Sequence, residues 1–354
     1  MSEENTNKPA ASGVSRRRFL AATGGTLAAA SLLSSTLAKP ALAQSGKKVR
    51  VGLGLNYGPF NQPWRRGCYT LIKRVVEKGG EVITVRGTPS KQSEQDSART
   101  LLDREIDVLV LGIYSLESET AYLVDEAKKR GIKTVGFAVP VKESAFVTED
   151  TYGTGSTLAY YVQNVTGRQG TFVQTAESKG FYTPFDQEAD QFSLMASYEP
   201  RMKLLPFMSG SVSTQDQISK GRDNVLSLLQ ANPEPGSLTG IVSWWWPLTI
   251  GAVQALQQMN RTDVRIFNHY FSNQLLEEMS RPETPVEAST DVPWHLMGEQ
   301  VADIAIKLGQ GEEVPPYQSR VPVTFITKAE AGKALADIQK MDEEAIAYLK
   351  PYGG

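Results

Sequence analysis

The sequence predicts an α/β protein with two lobes of similar size, each built around a parallel sheet. From residue 48 onward, short apolar strands alternate with amphipathic helices at a regular interval. Residues 107–113 are continuously apolar after Asp107, which is typical of a strand that helices cover on both faces. The alternation restarts after residue 144, which indicates a second lobe.

The first lobe is predicted to hold four strand–helix units. Strand 49–55 leads through a loop rich in Gly, Pro and Asn into a helix with Trp64 and Cys68 on its apolar face. Ligands of open parallel sheets bind beyond the carboxyl ends of strands, so this loop is predicted to form one wall of a binding site. Further strands are predicted at 81–86, 107–113 and 133–139, and helices at 93–104 and 116–130.

The second lobe and the tail continue the pattern. In the second lobe, strands are predicted at 145–148, 170–175, 202–208, 240–243 and 263–268, and helices at 152–165, 186–198, 215–230 and 248–260. The tail is predicted to hold a strand at 286–290, a helix at 294–309, a strand at 318–326 and a final helix. A late strand–helix unit after two complete lobes indicates that the chain crosses back to the first lobe.

Residues 1–43 form a separate segment. Three consecutive arginines, residues 16–18, precede Phe-Leu, a weakly apolar run and an Ala-Leu-Ala sequence that ends at Ala43. This arrangement resembles a twin-arginine signal peptide that is cleaved near Ala43. It predicts export of the chain to the periplasm. The apolar run is too polar to span a membrane stably.

The composition excludes some classes of function. The chain has 37 Lys and Arg against 39 Asp and Glu, and residues 1–43 hold more basic than acidic side chains. The exported chain is therefore acidic, which gives no support for nucleic-acid binding. The single cysteine, Cys68, cannot form an internal disulfide, and its position on a helix face predicts a place in the core.

The order of several short motifs resembles type I periplasmic binding proteins, the ribose-binding-like substrate-binding proteins of sugar ABC transporters. The resemblance covers residues 47–330. It depends on Asn61-Gln-Pro-Trp64 after the first strand, Gln92 and Gln95 in the second helix, the apolar strand from Asp107, Thr148-Glu-Asp-Thr-Tyr-Gly153 before a helix, and Gly251-Ala-Val-Gln-Ala-Leu256.

This resemblance implies two Rossmann-like lobes with parallel sheets, joined by three crossovers and closing on a ligand by hinge motion. The crossovers are expected near residues 146–150, 291–293 and 317–321. The implied N-terminal lobe is 47–149 plus 292–319, and the implied C-terminal lobe is 150–291 plus 320–354.

The resemblance also implies a ligand site in the cleft between the lobes, although most of the family's sugar-binding positions carry other residues here. Gln62 and Trp64 stand where relatives have a hydrogen-bonding residue and an aromatic platform, and Asp150 matches a hinge aspartate. Other positions of the pattern fall on Glu188, on Trp245 and Trp246, on His269 and Tyr270, and on Asp291. These departures argue against an ordinary pentose or hexose as the ligand.

Aromatic side chains near strand ends are further candidates. Trp245 and Trp246 belong to a run of three tryptophans, and three consecutive tryptophans cannot all face a core. Tyr182 lies in a Gly-Phe-Tyr-Thr-Pro loop, and Trp294 lies at the second crossover. Aromatic faces stack on the C–H faces of sugars and polyols, while carboxylates and amides bind their hydroxyls. The same residues also suit a small quaternary amine or another cation in an aromatic cage.

Enzymatic classes are disfavoured. Gly52, Gly54 and Gly58 follow the first strand, but their spacing does not match a dinucleotide fingerprint. There is no G-x-S-x-G motif, and the two histidines lack metal-ligand spacing. We therefore expect no catalytic chemistry, no cofactor and no metal. The expected partners of this monomer are a small solute and an inner-membrane ABC permease, or a membrane sensor kinase in its place.

Overall fold

The computed structural model describes residues 48–58, 60–210 and 216–353, so the predicted signal peptide lies outside the described residues. The strands are β1 Arg50–Leu55, β2 Glu81–Arg86, β3 Val108–Leu111, β4 Lys133–Phe137, β5 Phe146–Glu149, β6 Gly170–Ala176, β7 Met202–Leu204, β8 Met208–Ser209, β9 Gly240–Ser243, β10 Arg265–His269, β11 Val286–Asp291, β12 Gln318–Val321 and β13 Thr324–Thr327. The α-helices are α1 Gln62–Glu77, α2 Lys91–Leu102, α3 Glu117–Lys129, α4 Thr151–Val165, α5 Thr183–Ser197, α6 Gln217–Ala231, α7 Trp246–Gln258, α8 Asn273–Met279, α9 Trp294–Gly309 and α10 Ala331–Leu349. Within these ranges, none of the helices combines the length and the apolar character that a membrane span requires.

The strands form two sheets, one for each lobe. The first sheet has the order β12-β5-β4-β3-β1-β2, and every neighbouring pair in it is parallel. The second sheet has the order β13-β11-β10-β9-β6-β7, with β8 paired to β6, and only its β11–β13 pair is antiparallel. Helices cover both faces of a sheet of this kind, which explains why β3, β9 and most of β10 are buried. The predicted two-lobed α/β fold is confirmed.

The chain passes between the two sheets three times. It leaves the first sheet after β5 at Asp150, returns after β11 at Val292 and Pro293, and leaves again between β12 and β13. Residues 318–326, predicted as one strand, are therefore two strands in different sheets. Pro322 separates them, because proline has no N–H with which to continue a ladder.

The predicted lobe boundaries need a correction in the tail. Arg320 and Val321 were assigned to the C-terminal lobe, but both belong to β12 and pair with β5 in the first sheet. The final helix α10 contacts α8 of the second lobe and also α1 of the first lobe. In α1, Arg66 donates a buried hydrogen bond to Asp342 Oδ1 of α10 at 3.2 Å, so α10 spans the two lobes.

Two glycines allow α1 and α9 to approach each other closely. A Cβ atom at Gly298 of α9 would overlap the carbonyl oxygen of Gly67 and the Oγ1 atom of Thr70, both in α1. Thr70 Oγ1 donates to the carbonyl oxygen of His295 at 2.7 Å and links the same two helices. The interface therefore has no room for a side chain at residue 298.

We predict that Gly298→Ala lowers the free energy of unfolding by about 1–3 kcal/mol, because the added methyl group forces the two helices apart. Equilibrium denaturation in urea measures this change. Gly332→Ala is the matched control, since residue 332 is exposed in α10 and a Cβ there meets only Ser280 Oγ at 3.9 Å. The control is expected to leave stability unchanged or slightly raised, as Ala favours a helix over Gly. Equal stability of Gly298→Ala and the wild type would contradict the close packing.

Candidate functional site

A cavity lies between the lobes, where loops follow the carboxyl ends of strands from both sheets. Its free space, including the opening to solvent, is about 420 Å³. Eight of its twelve lining residues are aromatic, and Lys, Arg and His are not among them. The lining residues are Asn61, Pro63, Trp64, Ile113, Tyr114, Glu177, Phe181, Tyr182, Phe185, Trp245, Tyr270 and Trp294.

Five predicted site residues line this cavity: Trp64, Tyr182, Trp245, Tyr270 and Trp294. Their rings support one another edge to face. The ring centroids of Trp64 and Trp294 are 5.7 Å apart, and those of Trp245 and Tyr270 are 5.6 Å apart. Trp245 Nε1 donates to Gln217 Oε1 at 2.7 Å, which fixes the plane of its ring. Contact of these rings with a ligand stays a prediction.

Four other predicted residues do not line the cavity. Asp150 is the N-cap of α4, accepts a hydrogen bond from the Gly153 N–H, and lies 3.8 Å from Arg320 Nη1. Gln62 is half-buried in the first turn of α1. Trp246 and Asp291 are buried and make contacts that are structural in kind.

The contacts of Trp246 and Asp291 connect elements around the cleft. Trp246 Nε1 donates to the carbonyl oxygen of Phe60 at 3.2 Å, and the two rings pack edge to face, so this tryptophan joins the second lobe to the first. Asp291 accepts a hydrogen bond from the Phe271 N–H at 2.8 Å. Burial raises the pKa of Asp291 to about 6, although the positive charge of Arg66 opposes the shift.

Glu188 and His269, also predicted site residues, lie behind the cavity wall and not in the lining. They meet Glu149, the last residue of β5, in a buried cluster with His269 Nε2 3.2 Å from Glu188 Oε1 and 3.5 Å from Glu149 Oε2. Burial lowers the pKa of His269, but the two carboxylates outweigh it and raise the pKa to about 10. Burial raises the pKa of Glu188 to about 8, and His269 opposes this shift.

Sequence reasoning missed three residues of the site: Glu149, Glu177 and Tyr114. Glu149 accepts hydrogen bonds from the phenol groups of Tyr182 and Tyr270 at 2.6 and 2.8 Å. Glu177 lies directly after β6, a position that marks a candidate site residue, but the prediction chose the aromatic residues a few positions later. Tyr114 follows β3 by three residues and offered the same kind of signal.

The cavity carries an acid and several donors within an apolar wall. Burial raises the pKa of Glu177 to about 8, and a hydrogen bond from Gln217 lowers it only in part. Tyr114 OH, Trp64 Nε1 and Trp294 Nε1 are buried and have no hydrogen-bond partner within the described ranges. Such groups are costly to leave unsatisfied, so a polar ligand in the cavity would supply their missing partners.

Comparison with known proteins agrees with this geometry. Residues 54–313 match the family model described as a periplasmic binding protein domain. No curated protein matches the chain at a significant level. A solute-binding protein of an ABC transporter from Agrobacterium vitis, solved with bound allitol, is 23% identical and superposes with a TM-score of 0.73, covering 83% of this chain and 100% of its own.

Two further solved structures have the same fold. A 5-methylthioribose transporter solute-binding protein from Thermotoga lettingae is 16% identical, with a TM-score of 0.70 over 86% of this chain and 92% of its own. The binding-protein component of the arabinose ABC transporter from Shewanella sp. ANA-3 is 16% identical, with a TM-score of 0.72 over 85% and 98%. The fold and cleft define a two-lobed solute-binding protein. The chain belongs to the periplasmic binding protein family, as its sequence predicted.

We predict that Glu177→Gln reduces the loss of stability between pH 5 and pH 8. Because the folded-state pKa of Glu177 is raised to about 8, the folded protein keeps a proton that the unfolded chain releases above its ordinary value of 4.5. The stability that the proton on Glu177 contributes is therefore fully present below about pH 4.5 and is lost as the pH rises through 8. Melting temperatures at both pH values measure the effect, which we expect to be a few degrees.

The change in melting temperature between pH 5 and pH 8 is compared between wild type and variant, since the other carboxyls titrate equally in both proteins. The Gln side chain keeps an oxygen that can accept from Gln217, so the fold is preserved. Glu313→Gln, at an exposed position, is the control and should keep the wild-type profile. A Glu177→Gln profile that matches the wild type would show that Glu177 is not held in an apolar environment.

Proposed function

We propose that the protein is the periplasmic substrate-binding component of an ABC importer and captures a sugar or polyol between its two lobes. One observation carries the choice of ligand class. The same aromatic-lined cavity holds an acceptor, Glu177, and three unpartnered donors at Tyr114, Trp64 and Trp294. A sugar or polyol brings hydroxyls that both donate and accept, and C–H faces that stack on the rings.

The alternative is a small quaternary amine or another cation. Glu177 and eight aromatic lining residues, with no basic residue beside them, favour a cation electrostatically. However, the quaternary ammonium centre that an aromatic cage binds has no lone pair to accept a hydrogen bond. It would leave the three buried donors unsatisfied, and each such group costs roughly 1–3 kcal/mol. The donors therefore favour the sugar or polyol.

Contacts across the cleft support capture by hinge closure. Lys91 Nζ of the first lobe donates to the Gly180 carbonyl oxygen of the second lobe at 3.3 Å, and the Tyr114 and Phe181 rings pack with centroids 5.8 Å apart. Ligand that bridges both lobes stabilises the closed arrangement, and the permease then recognises the closed lobes. A sensor kinase could read the same closed state.

Several parts of the proposal extend what the sequence predicts. In this proposal the twin-arginine signal of residues 1–43 exports the chain to the periplasm, and the mature chain acts as a monomer. The resident solute is bound and released without covalent change, so the protein is not an enzyme and needs no redox cofactor. Trp64, Trp245 and Trp294 are the proposed stacking residues.

A thermal-shift screen tests the proposed ligand class. Mature protein is unfolded and refolded to remove bound solute, then mixed with sugars, polyols, sugar acids and small quaternary amines. A ligand at a thousand times its Kd adds about 4 kcal/mol of stability, which gives a clear rise in Tm. A shift with sugars or polyols supports the proposal. A shift with amines alone supports the cation cage, and a shift with NAD or a flavin alone contradicts a solute-binding role.

We predict that Tyr114→Phe weakens binding of the screened ligand by about 3- to 10-fold, the equivalent of one hydrogen bond. Stability without ligand should be unchanged or slightly higher, because the variant removes only a buried hydroxyl that has no partner among the residues that the structure describes. Isothermal titration calorimetry measures both affinities.

Tyr69→Phe is the matched control for this experiment. Its hydroxyl donates to Glu344 Oε2 at 3.2 Å, in the α1–α10 contact and away from the cavity. It should leave affinity unchanged. If Tyr114→Phe binds as tightly as the wild type, the Tyr114 hydroxyl does not contact the ligand.

A further inference from the structure

The cluster of Glu149, Glu188 and His269 has the composition of a metal site. Its residues come from the end of β5, from α5 and from the end of β10. Their side chains are 1%, 0% and 0% exposed. One ligand atom from each residue lies within 4.8 Å of the others. Two carboxylates and one imidazole are thus collected in a buried place.

The cluster does not satisfy its own hydrogen-bonding groups. Neither oxygen of Glu188 has a hydrogen-bond donor in the part of the chain that the structure describes, and His269 Nε2 has no acceptor there. His269 Nε2 and Glu188 Oε1 are 3.2 Å apart, so a protonated imidazole offsets one of the two negative charges. Two carboxylates beside one imidazolium leave a negative charge uncompensated in a buried place, which is costly. A cation between these atoms would remove that cost.

Hydrogen bonds from neighbouring residues orient the His269 ring within the cluster. His269 Nδ1 lies 2.8 Å from Thr290 Oγ1, whose hydroxyl donates to the Asn268 carbonyl oxygen at 3.5 Å. Because the Thr290 hydroxyl proton is used in that bond, Thr290 Oγ1 accepts a hydrogen bond from His269 Nδ1–H. The lone pair of His269 Nε2 then remains for the cluster. Outer hydrogen bonds of this kind orient the imidazole ligands of metal sites.

Glu149 is oriented in the same manner. The phenol groups of Tyr182 and Tyr270 donate to its oxygens, and the carboxylate keeps further lone pairs that can face the other two residues. Carboxylate ligands of metal sites are commonly held by such outer donors.

We propose that Glu149, Glu188 and His269 bind one divalent transition-metal cation of the Zn²⁺ type. A tetrahedral ion with bonds of about 2.1 Å separates its ligand atoms by about 3.4 Å. The distances from His269 Nε2 to the two carboxylates are 3.2 and 3.5 Å. One nitrogen and two oxygens form a mixed ligand set that zinc accepts and that magnesium and calcium, which favour oxygen alone, do not.

The charges also balance. Two carboxylates, one neutral imidazole and one divalent cation sum to zero, which is the least costly total for a buried site. A bound cation takes the place of the proton on His269 Nε2.

The ion would act on the solute site without contacting the solute. Tyr182 and Tyr270 line the cavity and at the same time donate to Glu149. The ion would therefore fix one cavity wall to β5, the strand that enters the first crossover. This inference stands on the cluster alone and does not depend on the proposed ligand class.

Metal analysis of untagged, purified protein tests the inference. The protein is treated with a chelator, dialysed, and titrated with Zn²⁺ by calorimetry, with the bound metal counted by mass spectrometry. We expect one equivalent per chain and a rise in Tm on addition of Zn²⁺. Co²⁺ should bind in its place and give the visible absorption of a tetrahedral site. No metal binding by the wild-type protein would overturn the inference.

Variants then assign the ligands. Glu188→Gln is expected to weaken Zn²⁺ binding at least 100-fold, and Thr290→Val, which removes the partner of Nδ1, by about 10- to 100-fold. His295→Gln changes the only other histidine of the sequence and should bind like the wild type. Equal binding by Glu188→Gln, Thr290→Val and the wild type would place the metal elsewhere and overturn the inference. Should Glu188→Gln fail to fold, as judged by circular dichroism, the Thr290→Val result and the Co²⁺ spectrum of the wild type decide.

The solute screen run in parallel separates the two proposals. Solute binding without any bound Zn²⁺ overturns the metal site and leaves the proposed function intact. Zn²⁺ binding without any solute from the panel supports the metal site and counts against the proposed ligand class.

Discussion

The carboxylate of Glu149 is the group on which the cavity wall depends. It ends the strand that enters the first crossover, and it accepts hydrogen bonds from Tyr182 and Tyr270. Tyr270 has a φ of +72°, a conformation that costs a bulky residue about 1–3 kcal/mol. Hydrogen bonds to charged groups contribute about 1.5–3 kcal/mol each, enough to offset that cost. The position of one acid therefore sets the orientation of two cavity rings.

Burial, more than charge pairing, decides what the cavity can bind. Glu177 has no basic neighbour in the lining, so its carboxyl is neutralised by a proton or by a ligand. Hydroxyls that donate to this carboxyl and accept from Tyr114 would satisfy both groups at once. The aromatic walls add area and shape, but they discriminate poorly between ligands that present similar flat faces. The few polar groups therefore carry the specificity of the site.

The order of elements could be predicted from the sequence because the periodicity of apolar residues is local. The prediction of one strand at 318–326 was wrong, because Pro322 divides these residues into two strands. Which sheet each strand joins depends on long-range pairing that the local sequence does not show. The aromatic wall could also be predicted, as residues that follow parallel strands gather at one sheet edge. Of the two consecutive acids 149 and 150, however, the sequence could not show which one accepts from the tyrosines of the cavity wall and which caps α4. A shift of one residue in a strand reverses the face, and only the register of β5 decides it. The cluster around His269 was invisible to spacing rules because its ligands are far apart in the chain.

Arg66 shows why the closed arrangement is a specific one. This buried side chain of α1 donates to Asp342 Oδ1 and, at 3.0 Å, to the carbonyl oxygen of Phe271 in the second lobe. A buried charge that loses its partners is costly, since nothing else compensates it. Opening of the cleft must therefore either preserve these contacts or admit water to them. The contacts lie on α10 and on the loop after β10, which are fixed to each other through α8. A motion of the lobes that pivots near Arg66 would preserve these contacts and would break only contacts elsewhere in the cleft, such as that between Trp246 and Phe60.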